Sequence, residues 1–125
     1  MTRALILFAH GARDPRWAEP FEAVADRVRQ AAPALAVRLA FLETMTPTLA
    51  DAVAALAAAG ATDVDVVPLF LGSGGHLRQD LPPLVDALRA AHPGVEMHLH
   101  AAIGEHAVVV EAMAAAAVAA AGLGE

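Results

Sequence analysis

Short apolar runs alternate along the chain with stretches whose apolar positions repeat at helical spacing. Residues 4–9, Ala-Leu-Ile-Leu-Phe-Ala, are continuously apolar, as expected for a strand covered on both faces. Asp14-Pro15 then gives a helix start, with aspartate as cap and proline in the first turn. Phe21, Val24, Ala25 and Val28 follow at helical spacing. Residues 37–42 predict a second strand. Thr46-Pro47 repeats the cap-and-proline start, Leu49, Val53 and Leu56 mark one helical face, and Gly60 supplies a stop. Residues 64–71 predict a third strand with Pro68 inside it; proline removes a ladder donor, so a bulge or local bend is expected there. Leu77, Leu81, Leu84, Val85 and Leu88 predict a third helix, broken by His92-Pro93-Gly94. Residues 95–101 predict a fourth strand and the alanine-rich residues 107–121 a closing helix.

Four strand–helix units with short connections imply right-handed crossovers and a parallel sheet. The expected fold is therefore α/β, a four-stranded parallel sheet flanked by helices. Its 125 residues suffice for one core, so residues 1–125 are expected to form a single domain. In such a sheet every strand-to-helix loop lies at the carboxyl edge, where ligands bind near the switch point of strand order. That edge collects His10, Arg13 and Arg16 after the first strand, Glu43 after the second, and residues 72–78 with His76 and Arg78 after the third. His106 follows the fourth. The opposite edge receives Pro33, Asp63 and His92, a blander set.

Composition narrows the chemistry. The chain is 58 % hydrophobic, but much of that is alanine, which suits closely packed helices better than a large aromatic-lined cavity. A formal charge of -6 and the absence of lysine argue against a nucleic-acid partner, which needs a basic face. An anionic small ligand stays open, because the placement of the arginines decides that. The absence of cysteine excludes disulfides, thiolate metal sites and a cysteine-held iron–sulfur cluster. Residues 4–9 are too short for a secretory apolar segment, and residues 107–121 fall short of a membrane span of about 20 residues. A cytoplasmic protein without a membrane partner is expected.

Imidazole suits iron, cobalt, nickel and zinc, whereas a carboxylate is a harder ligand or a proton acceptor. His10, His76 and Glu43 could hold a divalent ion with coordination positions left open. Histidine also titrates near neutral pH, so one of them could take a proton from a substrate. The loop Gly72-Ser73-Gly74-Gly75 lets backbone approach a flat or charged ligand and leads into a helix N-terminus, which favours carboxylates. It lacks the spacing of a dinucleotide fingerprint and the Lys-Ser/Thr of a P-loop, so no nucleotide is expected. Bland alternatives stand beside these: Glu43 could cap the second helix, and the arginines could be solvated charges. His98 and His100 share one face of the fourth strand and are expected as a packed or edge-strand pair. Trp17 and Met45 are expected to serve packing near the mouth.

Leu7-Phe8-Ala9-His10-Gly11-Ala12-Arg13-Asp14-Pro15 resembles the N-terminal motif of the small class II chelatases of the sirohydrochlorin cobaltochelatase type. Phe41-Leu42-Glu43 followed by Pro47-Thr48-Leu49 is similar to their second-strand motif. Val67-Pro68-Leu69-Phe70-Leu71-Gly72-Ser73-Gly74-Gly75-His76-Leu77 with Asp80-Leu81-Pro82 is similar to their third-strand block, and accommodates Pro68. The likeness extends over nearly the whole chain and implies a chelatase-like domain. It implies insertion of a divalent metal, Co²⁺ first and Fe²⁺ or Ni²⁺ otherwise, into sirohydrochlorin or a related tetrapyrrole without ATP. His10, His76 and Glu43 match the family's metal-site residues and become the expected catalytic set. Arg13, Arg16, Ser73, Gly74, Gly75 and Arg78 are expected to meet the carboxylates of the macrocycle. Relatives of twice this length hold two such domains across a cleft, so a homodimer is implied here. Ala12 departs from the serine common at that position, and the histidine-rich tail and cysteine cluster of some relatives are absent. Two rivals remain: a non-catalytic metal carrier or sensor using the same histidines, and a histidine phosphatase. Ala9 counts against the second, since it occupies the place of a phosphate-clamping arginine.

Overall fold

The first apolar run becomes β1 (Thr2–Ala9), and its place in the sheet explains its composition. It lies between β2 (Ala36–Phe41) and β3 (Ala61–Pro68), while β4 (Glu96–Leu99) pairs with β3, giving the order β2-β1-β3-β4. All three pairings are parallel. An inner parallel strand must be apolar on both faces: Ala4, Ile6 and Phe8 are buried on one side, and Leu7 on the other. The computed structural model describes residues 2–72 and 74–123, and the side chains of residues 75–77 are outside that set.

Helix α1 (Glu19–Ala31) covers β1 and β2 on one face through Ala25 and Val28. On the other face, α2 (Leu49–Ala58) and α3 (Gly75–Ala91) build the main core through Leu49, Val53, Leu56, Leu81, Val85 and Leu88. A final helix, α4 (Ala107–Ala120), buries none of its residues. No helix among the described residues is long and apolar enough to cross a membrane.

Several predicted boundaries move. The Asp14 carboxylate does accept the Arg16 N–H at 2.9 Å, but it opens a 3₁₀ turn over Pro15–Ala18 that runs on into α1. Thr46 is not the cap of α2; Thr46-Pro47 is a cis peptide bond and Thr48 caps the helix. The Thr48 hydroxyl accepts the Asp51 N–H at 3.1 Å, and the Asp51 carboxylate accepts the Thr48 N–H at 3.3 Å. Two otherwise orphaned donors are thereby satisfied reciprocally. Gly60 ends that unit at a φ of 94°.

β3 ends at Pro68 rather than at residue 71, and the ladder carries no bulge there, since Phe8 and Pro68 pair in register. The irregularity in that ladder falls instead at Thr2/Arg3. The Leu69 N–H reaches the Phe8 carbonyl at 2.7 Å. Amides alternate in direction along a strand, so the donor that Pro68 lacks would have faced β4, whose registered pairs stop at Val66↔Leu99. The proline thus sits where the sheet asks nothing of its nitrogen. β4 is likewise shorter than predicted.

Candidate functional site

Strand order reverses beside β1: the chain steps outward to β2, then returns to place β3 on the other side. The crevice at this switch point opens at the carboxyl edge, the place where open α/β sheets take ligands. His10 leaves β1 on one side of it, and α3 begins on the other.

His10 and Glu43 are brought together by the β1–β2 ladder continuing past the strand ends. The Leu42 N–H donates to the Ala9 carbonyl at 2.9 Å and the Glu43 N–H to the His10 carbonyl at 3.1 Å. Gly11 makes this approach feasible. It has a φ of 103°, and a Cβ there would collide with the Glu43 carbonyl. The outcome is a His10 Nε2 to Glu43 Oε1 distance of 3.1 Å, with side chains 50 % and 62 % exposed. Phe70 supports the imidazole from below, edge to face at 6.0 Å, and Phe70 is itself buried against Phe8 at 5.9 Å.

That spacing suits a shared proton and equally suits a metal. Two N/O donors each roughly 2.1 Å from one ion stand about 3.0–3.4 Å apart at octahedral to tetrahedral angles. The turn carrying Glu43 is unusual in one respect that the sequence does not signal. Thr44, a β-branched residue, has a φ of 71°, and the Met45 N–H closes back on the Glu43 carbonyl at 2.7 Å.

The remaining predicted residues distribute unevenly. The backbone of His76 lies in the first turn of α3, on the far side of the crevice, but its side chain is outside the described residues, and Ser73 lies outside them altogether. Gly74 is the N-cap of α3 and precedes Gly75 at the first helical position. A Cβ at Gly72 or Gly74 would meet nothing, so the fold itself does not demand glycine there. Arg13 is exposed and has no hydrogen-bond or ion-pair partner among the described residues. Arg16 is engaged, with Nη2 at 3.0 Å and Nε at 3.3 Å from the Asp14 carboxylate. The Arg16 guanidinium and its backbone amide hold the Asp14 carboxyl below the usual carboxylate range. Arg78 lines a 240 Å³ pocket between α3 and the end of β4, with Phe70, Leu81, Pro82 and His100. A 750 Å³ groove lined by Ala12, Arg13, Phe41, Thr44 and Met45 lies on the α1 side. The two hollows flank the His10–Glu43 pair rather than contain it.

The CbiX family model matches residues 4–120. The chain belongs to the CbiX family. Among curated relatives, this CbiX chain is 35 % identical over 81 residues to the sirohydrochlorin cobaltochelatase of Methanosarcina acetivorans, a match covering 65 % of this chain and 62 % of that protein. It is 33 % identical over 89 residues to the sirohydrochlorin cobaltochelatase of Methanocaldococcus jannaschii, covering 71 % and 62 %. The chain therefore spans under two thirds of the length of these relatives. Among solved structures, a CbiX protein from Marinobacter aquaeolei VT8 superposes with a TM-score of 0.81 at 35 % identity, over 92 % of this chain and 93 % of that one. The sirohydrochlorin chelatase SirB from Bacillus subtilis subspecies spizizenii, in complex with cobalt, gives a TM-score of 0.73 at 25 % identity. That match covers 82 % of this chain but only 44 % of SirB.

Several histidines of this CbiX domain lie away from the crevice. The His106 Nδ1 accepts the Val108 N–H at 3.2 Å, so it caps α4. His98 and His100 form exposed pairs along the edge strand, as expected. His98 Nε2 lies 3.3 Å from Asp63 and 3.9 Å from Glu96, and His100 Nε2 lies 2.8 Å from Asp65. The ligand atoms of Asp63, Glu96 and His98 all fall within 4.8 Å of one another, the one such trio among the described residues. Asp63 is at the amino edge in the sequence pattern; the β3–β4 register sets it opposite Glu96, and His98 reaches it diagonally, two residues along β4. Trp17 packs on Phe21 at 4.6 Å and on Phe41 at 6.5 Å, with Met45 in the same cluster, so both are packing residues. Gly104 is a missed contributor: its N–H donates to the Phe70 carbonyl at 2.9 Å, and a Cβ would collide with the Leu71 backbone. It fastens the loop after β4 to the loop that leads to α3.

Proposed function

We propose that this CbiX protein inserts a divalent metal, cobalt first and iron or nickel as alternatives, into sirohydrochlorin or a close relative without ATP. The observation that carries the reading is the His10–Glu43 pair, 3.1 Å apart and open to solvent at the switch-point crevice. The names of the Methanosarcina and Methanocaldococcus relatives support the reaction, and cobalt in the SirB complex and Fe³⁺ in a second SirB structure support the metals.

The metal is a substrate here. His10 and Glu43 take it from one side, and His76, in the first turn of α3, completes the set from the other. The carboxylates of the macrocycle meet Arg13, Arg78 and the amides around Ser73, Gly74 and Gly75 at the α3 N-terminus, where a helix favours anions. Arg16 contributes chiefly by holding Asp14, and reaches substrate only by giving up that pair. The open space at Gly72 and Gly74 leaves room for a flat ligand. As the ion enters, two pyrrole protons leave, and Glu43 or His76 receives them. Binding the macrocycle out of plane would turn nitrogen lone pairs toward the metal. A second copy of the chain closes the cleft, as a homodimer. Cytoplasmic location rests on the sequence pattern alone.

The rival, a metal carrier or sensor, draws on the openness of the pair, since a carrier needs no cleft. Mixing the protein anaerobically with sirohydrochlorin and Co²⁺ or Fe²⁺, and following absorption against a protein-free control, separates the two. Catalytic acceleration is expected; stoichiometric metal binding without acceleration or tetrapyrrole binding would favour the carrier.

A further inference from the structure

β3 departs from the rule that its place in the sheet imposes. It is an inner parallel strand, between β1 and β4, and such a strand is expected to be apolar on both faces. β1 obeys this, yet β3 turns Val64 and Val66 into the core and sets Asp63 and Asp65 on the opposite face. β4 does the same: Met97 is buried, and Glu96, His98 and His100 alternate onto the face of the aspartates. On that side α1 covers β1 and β2, so the polar stripe stays open to solvent, with the Asp63 side chain 26 % and His98 47 % exposed.

Charge is unevenly matched along this stripe. Asp65 has two partners, Arg3 at 3.7 Å and His100 Nε2 at 2.8 Å. Asp63 and Glu96 stand directly opposite each other in the β3–β4 register, and like charges so placed destabilise a sheet. Among the described residues neither meets an arginine; His98 Nε2 is what they share, 3.3 Å from Asp63 Oδ1 and 3.9 Å from Glu96 Oε1. An imidazole Nε2 carries one proton at most and donates it to one carboxylate at a time. A divalent ion answers both. The three ligand atoms lie within 4.8 Å of one another, and donors about 2.1 Å from one ion stand roughly 3.0–3.4 Å apart. The Asp63–His98 distance already falls in that range, and Glu96, 73 % exposed, closes the rest by a change of rotamer. Two carboxylates match the charge of one divalent ion. The imidazole selects a first-row transition metal over Mg²⁺ or Ca²⁺, which take oxygen ligands.

We propose that Asp63, Glu96 and His98 form a second divalent-metal site, in which a first-row transition ion clasps β4 to β3. It is separate from the crevice: Asp63 pairs with Arg3, which lies seven residues before His10, about 23 Å along an extended strand. β4 has four residues and one neighbouring strand, so ligands drawn from both strands add a cross-link where the ladder is shortest. An ion bound only by the folded chain stabilises it by mass action.

Anaerobic titration of the 125-residue protein with Co²⁺, by calorimetry and equilibrium dialysis, tests the site. His10→Ala, which disables the crevice, should still bind one Co²⁺ per chain. In that background Asp63→Asn and His98→Ala should each weaken binding about 10-fold or more, since each removes a ligand. His100→Ala, on the same strand but outside the trio, should leave it unchanged. Co²⁺ should also raise the unfolding temperature of His10→Ala and broaden the amide resonances of residues 63–65 and 96–98. Both effects should vanish with Asp63→Asn, which preserves side-chain shape and so keeps the test open if His98→Ala fails to fold. A His10→Ala chain that binds no Co²⁺, or whose Co²⁺ affinity survives Asp63→Asn and His98→Ala undiminished, would overturn the proposal even if turnover establishes the chelatase. Co²⁺ held by the trio in a protein that inserts no metal would sustain it.

Discussion

Gly11 sets the tightest dimension of the crevice. Its φ of 103° and its closeness to the Glu43 carbonyl leave no space for a methyl group. Gly11→Ala should therefore push the Glu43 loop away from His10. The expected result is a folded protein destabilised by about 1–3 kcal/mol, with metal insertion reduced about as far as in Glu43→Gln. Thermal unfolding and turnover measured together check this, and full turnover would mean that the contact has slack. Asp14 offers a second test. Arg16 lowers its carboxyl below the ordinary 3.8, so the folded value lies under the unfolded one. The associated stabilisation is present above that ordinary value and fades as pH falls through the lowered one. Carbon-detected titration should give Asp14 a midpoint below 3.8 that rises in Arg16→Ala. His10 and Glu43 are legible in the sequence because each comes just past a strand. Their contact is not, because it depends on the β1–β2 register and on one glycine dihedral angle. The same holds for His98 and Asp63, which come from different strands and opposite ends of the pattern.

Element identities follow from periodicity, and element ends do not. The four strands and four long helices come in the predicted order, because burial on two faces forces continuous apolar runs and burial on one face forces helical spacing. The third strand stops at Pro68 although residues 69–71 are equally apolar, since beyond Pro68 the chain turns toward α3. The start of α2 misleads for a related reason: proline after threonine has the look of a cap, but the Thr48–Asp51 pair carries the hydrogen bonds. Thr48→Ala should cost about 1 kcal/mol, whereas Thr46→Ala should cost little; urea denaturation of the two variants distinguishes them. α3 contains Pro82 and Pro83, which cannot donate to the carbonyls four residues earlier. The turn that carries His76 is thus joined to the rest of its helix by fewer hydrogen bonds. Alanine content marks α4 as a helix, but composition alone cannot say that it would stand uncovered.

At the scale of the molecule, the strand order β2-β1-β3-β4 is what turns scattered residues into a site. It places the end of β1 beside the start of α3 and opens the crevice between them. The fold matches 44 % of SirB, and the homodimer proposed above would set a second copy across the crevice. The account also makes a choice between two groups of metal-ligating side chains. Asp63, Glu96 and His98 bring three candidate ligand atoms within 4.8 Å of one another, but they lie along the β3–β4 pair, away from the switch point, whereas His10 and Glu43, 3.1 Å apart, lie at it. The most direct test is anaerobic cobalt insertion into sirohydrochlorin by wild type, His10→Ala and His98→Ala, each shown to be folded. The account predicts a loss of roughly 100-fold or more in His10→Ala and wild-type rates in His98→Ala. Wild-type rates in His10→Ala, or a loss confined to His98→Ala, would contradict it.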